Sequence, residues 1–180
     1  KPDHYRGARL VVDVLTGASP NGATPADSVQ TFTRPSGRAS YRVDARDTPL
    51  DHVFQDNRGA LDLSLDVPLG RSTRASLGGH GSIEYDYSSW AARASLTREL
   101  NQRHTAVSVA GSYAWDHIFP EGNPPIPLAS MARPGPRQPR QPGTKYKDVL
   151  DALFGVTQTL SRSTIAHLGY SISRSWGYHT

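Results

Sequence analysis

The sequence predicts an all-β chain: an antiparallel up-and-down transmembrane β-barrel, of which these residues supply about seven strands. Three observations carry that expectation. Eight of the fourteen prolines fall between Pro120 and Pro142; proline cannot donate to a ladder, so the proline-free segments elsewhere are where a sheet can form. Within each of those segments apolar and polar residues alternate, and period two is the signature of a strand. The polar half of the alternation is mostly Ser, Thr, Gly and Ala with sparse charge, and Lys is absent from it. Small polar residues suit a crowded barrel interior with lipid on the other side.

The segments follow in order. Ala8, Leu10, Val12 and Val14 share one face and Arg9, Val11 and Asp13 the other. Leu61, Leu63, Leu65 and Val67 oppose Ala60, Asp62, Ser64 and Asp66. Thr73, Ala75, Leu77, Ile83 and Tyr85 oppose Arg74, Ser76, His80, Ser82 and Glu84. Trp90, Ala92, Ala94 and Leu96 oppose Ala91, Arg93, Ser95 and Thr97. Val107, Val109, Tyr113 and Trp115 oppose Ser108, Ala110, Ser112 and Asp116. Leu150, Ala152, Phe154 and Val156 oppose Asp151, Gly155 and Thr157, with Val149 and Leu153 breaking the rule. Ala166, Leu168, Tyr170 and Ile172 oppose His167, Gly169, Ser171 and Ser173.

Connections are expected to alternate long and short. A loop over residues 17–57 precedes a tight turn at Pro68-Leu69-Gly70-Arg71, then a loop around Asp86-Tyr87-Ser88. A tight turn at Asn101-Gln102-Arg103, a Pro-rich loop over 117–147 and a tight turn at Ser161-Arg162-Ser163 complete the series. Short turns on one side and long loops on the other mark outer-membrane barrels, as do aromatic rings toward strand ends, here Tyr85, Trp90, Tyr113, Trp115 and Tyr170. A soluble β-sandwich would alternate too, but its polar face meets water and carries long charged side chains.

Composition excludes several classes. No cysteine means no disulfide framework and no thiolate metal site. No apolar run approaches the ~18 residues of a membrane helix. The net charge of +4 is scattered except in the Pro-rich loop, where no aromatic interleaves with the basic residues before Tyr146. No stacking platform forms, so nucleic acid is not an expected partner.

Further blocks are recognisable: Gly17-Ala18-Ser19-Pro20-Asn21-Gly22-Ala23, Thr31-Phe32-Thr33 with Pro35-Ser36-Gly37, and Pro49-Leu50-Asp51 with Phe54 and Asp56-Asn57-Arg58. Tyr85-Asp86-Tyr87, Asn101 with Arg103, Lys147-Asp148-Val149 running into Gly155-Val156-Thr157-Gln158, and Tyr170-Ser171-Ile172-Ser173-Arg174-Ser175 before Gly177-Tyr178 follow. Together they resemble a bacterial family, domain of unknown function 3570, regarded as outer-membrane β-barrel proteins. The resemblance covers nearly the whole chain and implies location and architecture; it brings no catalytic residues. It implies a contextual link to periplasmic redox proteins, and a full length greater than this chain's.

The candidate lumen-lining set is Arg9, Asp13, Asp62, Asp66, Arg74, His80, Glu84, Arg93, Asp151 and His167. Opposed rows of acid and base set ion preference in a pore; the alternative is that they pair across strands and fill a narrow interior, because isolated buried charges are costly. The Pro-rich loop offers Arg133, Arg137, Arg140, Lys145 and Lys147, a basic set suited to lipopolysaccharide phosphates; a solvated polyproline-like spacer is the alternative.

The seven histidines (His4, His52, His80, His104, His117, His167 and His179) show no ligand spacing, so no metal or other cofactor is expected. Asp44, Asp47, Asp51 and Asp56 lack the spacing of a calcium loop. Adjacent pairs Asp51-His52 and Asp116-His117 would lie in the zone of a surface protease, whereas His80 and His167 fall on the wrong face for a lipid-facing hydrolase. No nucleophile-elbow, Walker or dinucleotide motif is present.

The expectation is therefore a single domain, residues 1–180, in the outer membrane of a Gram-negative bacterium. It acts as a passive pore or conduit and not as an enzyme. A non-conducting scaffold for a surface or periplasmic protein assembly and a loop-borne barrel enzyme are the alternatives. Lys1 opens the chain without Met or leader and seven strands are odd in number, so a partial chain and an open sheet with unpaired first and last strands are expected.

Overall fold

Alternation becomes strand in all seven expected places. The computed structural model describes residues 4–16, 23–34, 39–127 and 140–179. β1 (Tyr5–Thr16) is followed by a short ribbon of β2 (Gln30–Thr33) and β3 (Ser40–Val43), which the sequence reading placed inside a loop. Then come β4 (Gln55–Pro68), β5 (Thr73–Ile83), β6 (Tyr87–Leu100), a single 3-10 turn at Asn101–Arg103, β7 (Thr105–Ile118), β8 (Lys145–Ser161) and β9 (Thr164–Gly177). The seven long strands form one sheet in the order β1-β4-β5-β6-β7-β8-β9, every ladder antiparallel.

The fold is thus an up-and-down antiparallel sheet, not a closed barrel: among the described residues β1 and β9 do not pair. Parity explains the opening. Seven antiparallel strands leave the first and last running in the same direction, so no antiparallel ladder joins them directly.

The registers connect the alternating sets into two continuous faces. Leu10, Leu61, Gly81, Trp90 and Trp115 lie in one row, and Arg9, Asp62, His80, Ala91 and Ala114 in the next. Burial runs opposite to a soluble sandwich. Leu63, Val109 and Leu168 are 50%, 52% and 73% exposed, while Ser82 and Asp116 on the polar face retain only 3% and 4%. No second large sheet covers the apolar face among the described residues; β2 and β3 pair only with each other.

Several boundaries differ from the expectation. The first long connection ends at Phe54, because β4 begins at Gln55, and the Pro-rich connection covers 119–144, because β7 and β8 extend into it. The loop expected around Asp86-Tyr87-Ser88 is a tight turn over residues 84–86, closed by Glu84 N–H donating to the Tyr87 carbonyl at 2.8 Å. Long and short connections therefore do not strictly alternate, although all turns at the opposite end are short. β8 carries Lys145 and Lys147, so the strands are not free of lysine. Tyr170 lies mid-strand opposite Phe154, away from the strand ends. Trp90, Tyr113, Trp115 and Trp176 do gather at the long-loop end, with Tyr113 5.9 Å from Trp115 and 6.2 Å from Trp176.

At that same end the chain leaves β9 through Gly177, whose φ is 103°. A Cβ there would collide with the Tyr146 carbonyl, and that carbonyl accepts the Tyr178 N–H at 2.8 Å. Tyr178 in turn donates its hydroxyl to the Pro125 carbonyl at 2.7 Å, tying the chain after β9 to the Pro-rich connection. Gly177→Ala is expected to destabilise the fold by about 1–3 kcal/mol, the cost of a strained positive φ. Urea unfolding followed by tryptophan fluorescence measures it, and an unchanged midpoint would remove Gly177 from the determinants of this corner.

Candidate functional site

The polar face is concave. A cavity of about 630 Å³ is bounded by side chains of every strand from β4, through Ser64, to β9, through Ser173. In a flat sheet β4 and β9 would stand about 24 Å apart at the usual ~4.8 Å spacing, so a shared cavity requires the sheet to curl around its polar side.

Two register rows supply most of the lining. One runs Ser64, Gly78, Arg93, Ser112, Asp151, Ser173; the other runs Asp66, Ser76, Ser95, Ala110, Leu153, Ser171. Gly78 permits a close approach here, since the Arg93 side chain lies across it in the space a Cβ would fill. Leu153, an exception to the alternation, lines the cavity between the serines.

Cross-strand hydrogen bonds knit this face. Asp62 Oδ1 lies 2.9 Å from His80 Nδ1, and Arg93 Nη1 approaches the same oxygen at 3.9 Å. Ser112 donates to Asp151 at 3.0 Å, Ser76 donates to Asp66, and Thr157 Oγ1 stands 2.9 Å from His167 Nδ1. Ser89 donates to Asp116 at 2.7 Å while Lys147 pairs with its other oxygen at 3.0 Å.

The predicted lumen-lining residues Arg9, Asp13, Asp62, Asp66, Arg74, His80, Arg93, Asp151 and His167 all fall on this one face. Glu84 lies just beyond β5, in the turn, 3.6 Å from Arg58 Nε. His80 at 2.9 Å and Arg93 at 3.9 Å both approach Asp62, and Arg9 stands beside Asp62 in register. Asp13 faces Arg58 in register, and Arg74 and His167 sit toward the short-turn end. The structure adds Arg58, Ser89 and Lys147 to the charged and hydrogen-bonded face. Lys147 differs from Asp116 by 31 positions, and no local sequence pattern signals that they meet.

The predicted basic loop divides. Arg133 and Arg137 lie outside the described residues. Arg140 donates from Nη1 to the Asn123 carbonyl at 2.7 Å, beside a bridge between Pro125 and Arg140 that closes the base of the connection. Lys145 opens β8, and Lys147 belongs to the wall, not to a loop, because its strand runs further toward the loop than alternation suggested.

Neither protease-like pair forms a dyad. Asp51 is buried against Arg34, 2.8 Å from Nε, while His52 is exposed. Asp116 and His117 point to opposite faces, and the His117 ring packs edge-on against Tyr146 at 4.9 Å. No three metal-ligating side chains converge among the described residues.

The features so far define a class: an all-β, up-and-down sheet protein with its apolar side chains outermost and a curled polar face of cross-strand acid, base and hydroxyl pairs. Within that class, the chain belongs to the family described as Protein of unknown function (DUF3570), whose model matches residues 3–180. No curated protein and no solved structure matches the chain.

The turn over residues 84–86 carries titratable groups outside the strands. Burial, reinforced by the Asp56 carboxylate, pushes Asp86 above the usual carboxylate range. Burial and Asp56 also raise Glu84, with Arg58 working against them. A raised folded pKa means the folded state holds the proton more tightly than the unfolded one. The resulting destabilisation is therefore complete above the folded value and vanishes below the unfolded value. Asp86→Asn is expected to raise the unfolding midpoint at pH 7 and to leave it unchanged near pH 3. Thermal unfolding at the two pH values checks the sign, and a lower midpoint at pH 7 would refute it.

Proposed function

We propose that the chain forms part of the wall of an outer-membrane β-barrel of a Gram-negative bacterium, and that this barrel is a passive conduit for small solutes or ions. The observation that carries the reading is the inverted burial: Leu and Val are outermost, and the serines and charges of the opposite face supply much of the lining of a concave cavity. Leu77, Ala94, Ala152 and Ile172 of the intervening row also border it. Water favours the reverse arrangement, whereas lipid outside and solvent inside favour this one.

Strand length agrees. Strands of 11 to 17 residues meet or exceed the ~9–11 that a tilted crossing of the hydrocarbon layer requires. The tryptophans and Tyr113 at the long-loop end suit a headgroup belt. In this setting β1 and β9 pair with further strands, since each bare backbone group in lipid costs several kcal/mol. The long connections face outward, where Arg133, Arg137 and Arg140 can meet lipopolysaccharide phosphates through guanidinium forks.

One observation favours a second reading, a non-conducting barrel that scaffolds a surface or periplasmic assembly. The pairs Asp62–His80, Asp116–Lys147 and Ser112–Asp151 satisfy much of the polar face internally, as a filled interior would. Single-channel recording in planar bilayers separates the two: discrete conductance steps support the conduit, and a silent, correctly inserted protein supports the scaffold.

Arg at Leu63, Leu77, Ala94, Val109, Phe154 or Leu168 is expected to cost about 2–4 kcal/mol near mid-membrane. Arg at Ser64, Ser108 or Ser171 should be tolerated better. Urea titration of folding into phospholipid vesicles measures both sets, and the opposite ranking would reverse the assignment of faces. Protease added to intact cells should cut within the 119–144 connection and spare Arg103; cleavage at Arg103 would invert the orientation.

A further inference from the structure

At one place on the polar wall several bases share a single carboxylate. Arg9 of β1, Asp62 of β4 and His80 of β5 stand side by side in one register row. Arg93, one row away on β6, extends over Gly78 and reaches toward Asp62. Beside this cluster is a second cavity of about 360 Å³, lined by Gly7, Ala8, Arg9, Asp62, Ser64 and Arg93.

Two guanidiniums and one carboxylate therefore border the same space. The carboxylate is already engaged: Asp62 Oδ1 has His80 Nδ1 at 2.9 Å and Arg93 only at 3.9 Å, too long for a hydrogen bond. Arg93 remains 53% exposed, and Arg9, which stands beside Asp62 in register and acts on it only through space, shares that one carboxylate with Arg93 and His80. Two other bases of the wall each have a carboxylate of their own, Lys147 in Asp116 at 3.0 Å and Arg58 in Glu84 at 3.6 Å. Gly7 stands opposite Ser64 in register and contributes no side chain to cover its hydroxyl, which adds a neutral donor.

A cavity with two guanidinium forks, a hydroxyl and one preoccupied acid has the chemistry of an anion site. We infer that this cavity is a binding subsite for a small oxyanion, a carboxylate or phosphate group, held by Arg9, Arg93 and Ser64. As the solute class of a conduit the inference rests on the pore reading; as a binding site it is measurable without it.

The test is calorimetric titration of the full chain, folded in detergent micelles, with inorganic phosphate, acetate and chloride at constant ionic strength. Saturable binding of phosphate or acetate is expected, and which of the two binds distinguishes the phosphate from the carboxylate source. Arg9→Gln and Arg93→Gln should each weaken binding by about tenfold or more, the loss of one charge-assisted hydrogen-bond donor. Asp62→Asn should tighten binding, because it removes the competing carboxylate. Arg74→Gln, which changes the same net charge on the same face but away from the cavity, should leave affinity unchanged.

Circular dichroism confirms that each variant retains its strands. The inference is overturned by equal binding of chloride, by an Arg74→Gln loss matching that of Arg93→Gln, or by no saturable binding in both the parent chain and Asp62→Asn. A chain that binds the oxyanion yet shows no conductance retains the subsite and loses the conduit. A conducting chain without such binding retains the conduit and loses the subsite.

Discussion

The structure depends on one constraint, the preservation of a single parity through six consecutive antiparallel ladders. Side chains alternate with period two, so a slip of one residue in any ladder would exchange the faces of every strand beyond it. No such slip occurs. From Leu10 beside Leu61 to Phe154 beside Tyr170 the mid-strand apolar positions meet apolar positions. Charged residues such as Arg6, Arg98, Asp148 and Arg174 enter that face toward strand ends, and the one register irregularity among the described residues falls at Thr159 and Ser161, at the very end of β8. The curled polar face and its cavity follow from that continuity, because each strand contributes its serines, glycines and charges to the same side.

The sequence makes parity legible and leaves register hidden. Leu63 and Ser64 can be assigned to opposite faces from alternation alone, and the structure agrees. That Asp62 stands beside His80, and not beside another polar residue of β5, depends on the turn over residues 69–72. Its Leu69 N–H donates to the Thr73 carbonyl and fixes the stagger. Lys147 shows the other limit. Its place in a basic, Pro-rich stretch suggested a loop, yet its pairing with Asp116 extends β8 past the point where alternation weakens. The short ribbon of β2 and β3 is not legible in the sequence, because four residues hold too few alternations to rise above a turn-rich background. Phe32 stacked on Tyr41, 5.4 Å apart, supplies the packing that such a short pair needs.

The polar wall is organised by hydroxyls as much as by charge. Asp66, Asp116 and Asp151 each accept from a serine on the neighbouring strand. A serine positions such a carboxylate at little entropic cost, because its side chain is short and has little rotamer freedom to lose. The long cations are used where a gap must be bridged, with Arg93 stretched over a glycine and Lys147 reaching across from β8 to β7. This division explains why a face that looks sparsely charged in sequence is closely connected in space.

The two long connections also order the assembly of the sheet in time. Four of the six ladders, β4 to β5, β5 to β6, β6 to β7 and β8 to β9, join strands separated by a few residues, and such local hairpins close quickly. The β1–β4 ladder must first close the loop over residues 17–54, and the β7–β8 ladder the loop over 119–144. Loop closure costs entropy before any contact repays it. Within these seven strands the sheet is therefore kinetically three pieces: the hairpin run β4 to β7, the hairpin β8–β9, and β1, whose ladder with β4 must close the longest loop. Of the six ladders, β1–β4 has the longest loop to close, so the contact of Arg9 with its row on the polar wall is the one that chain entropy opposes most.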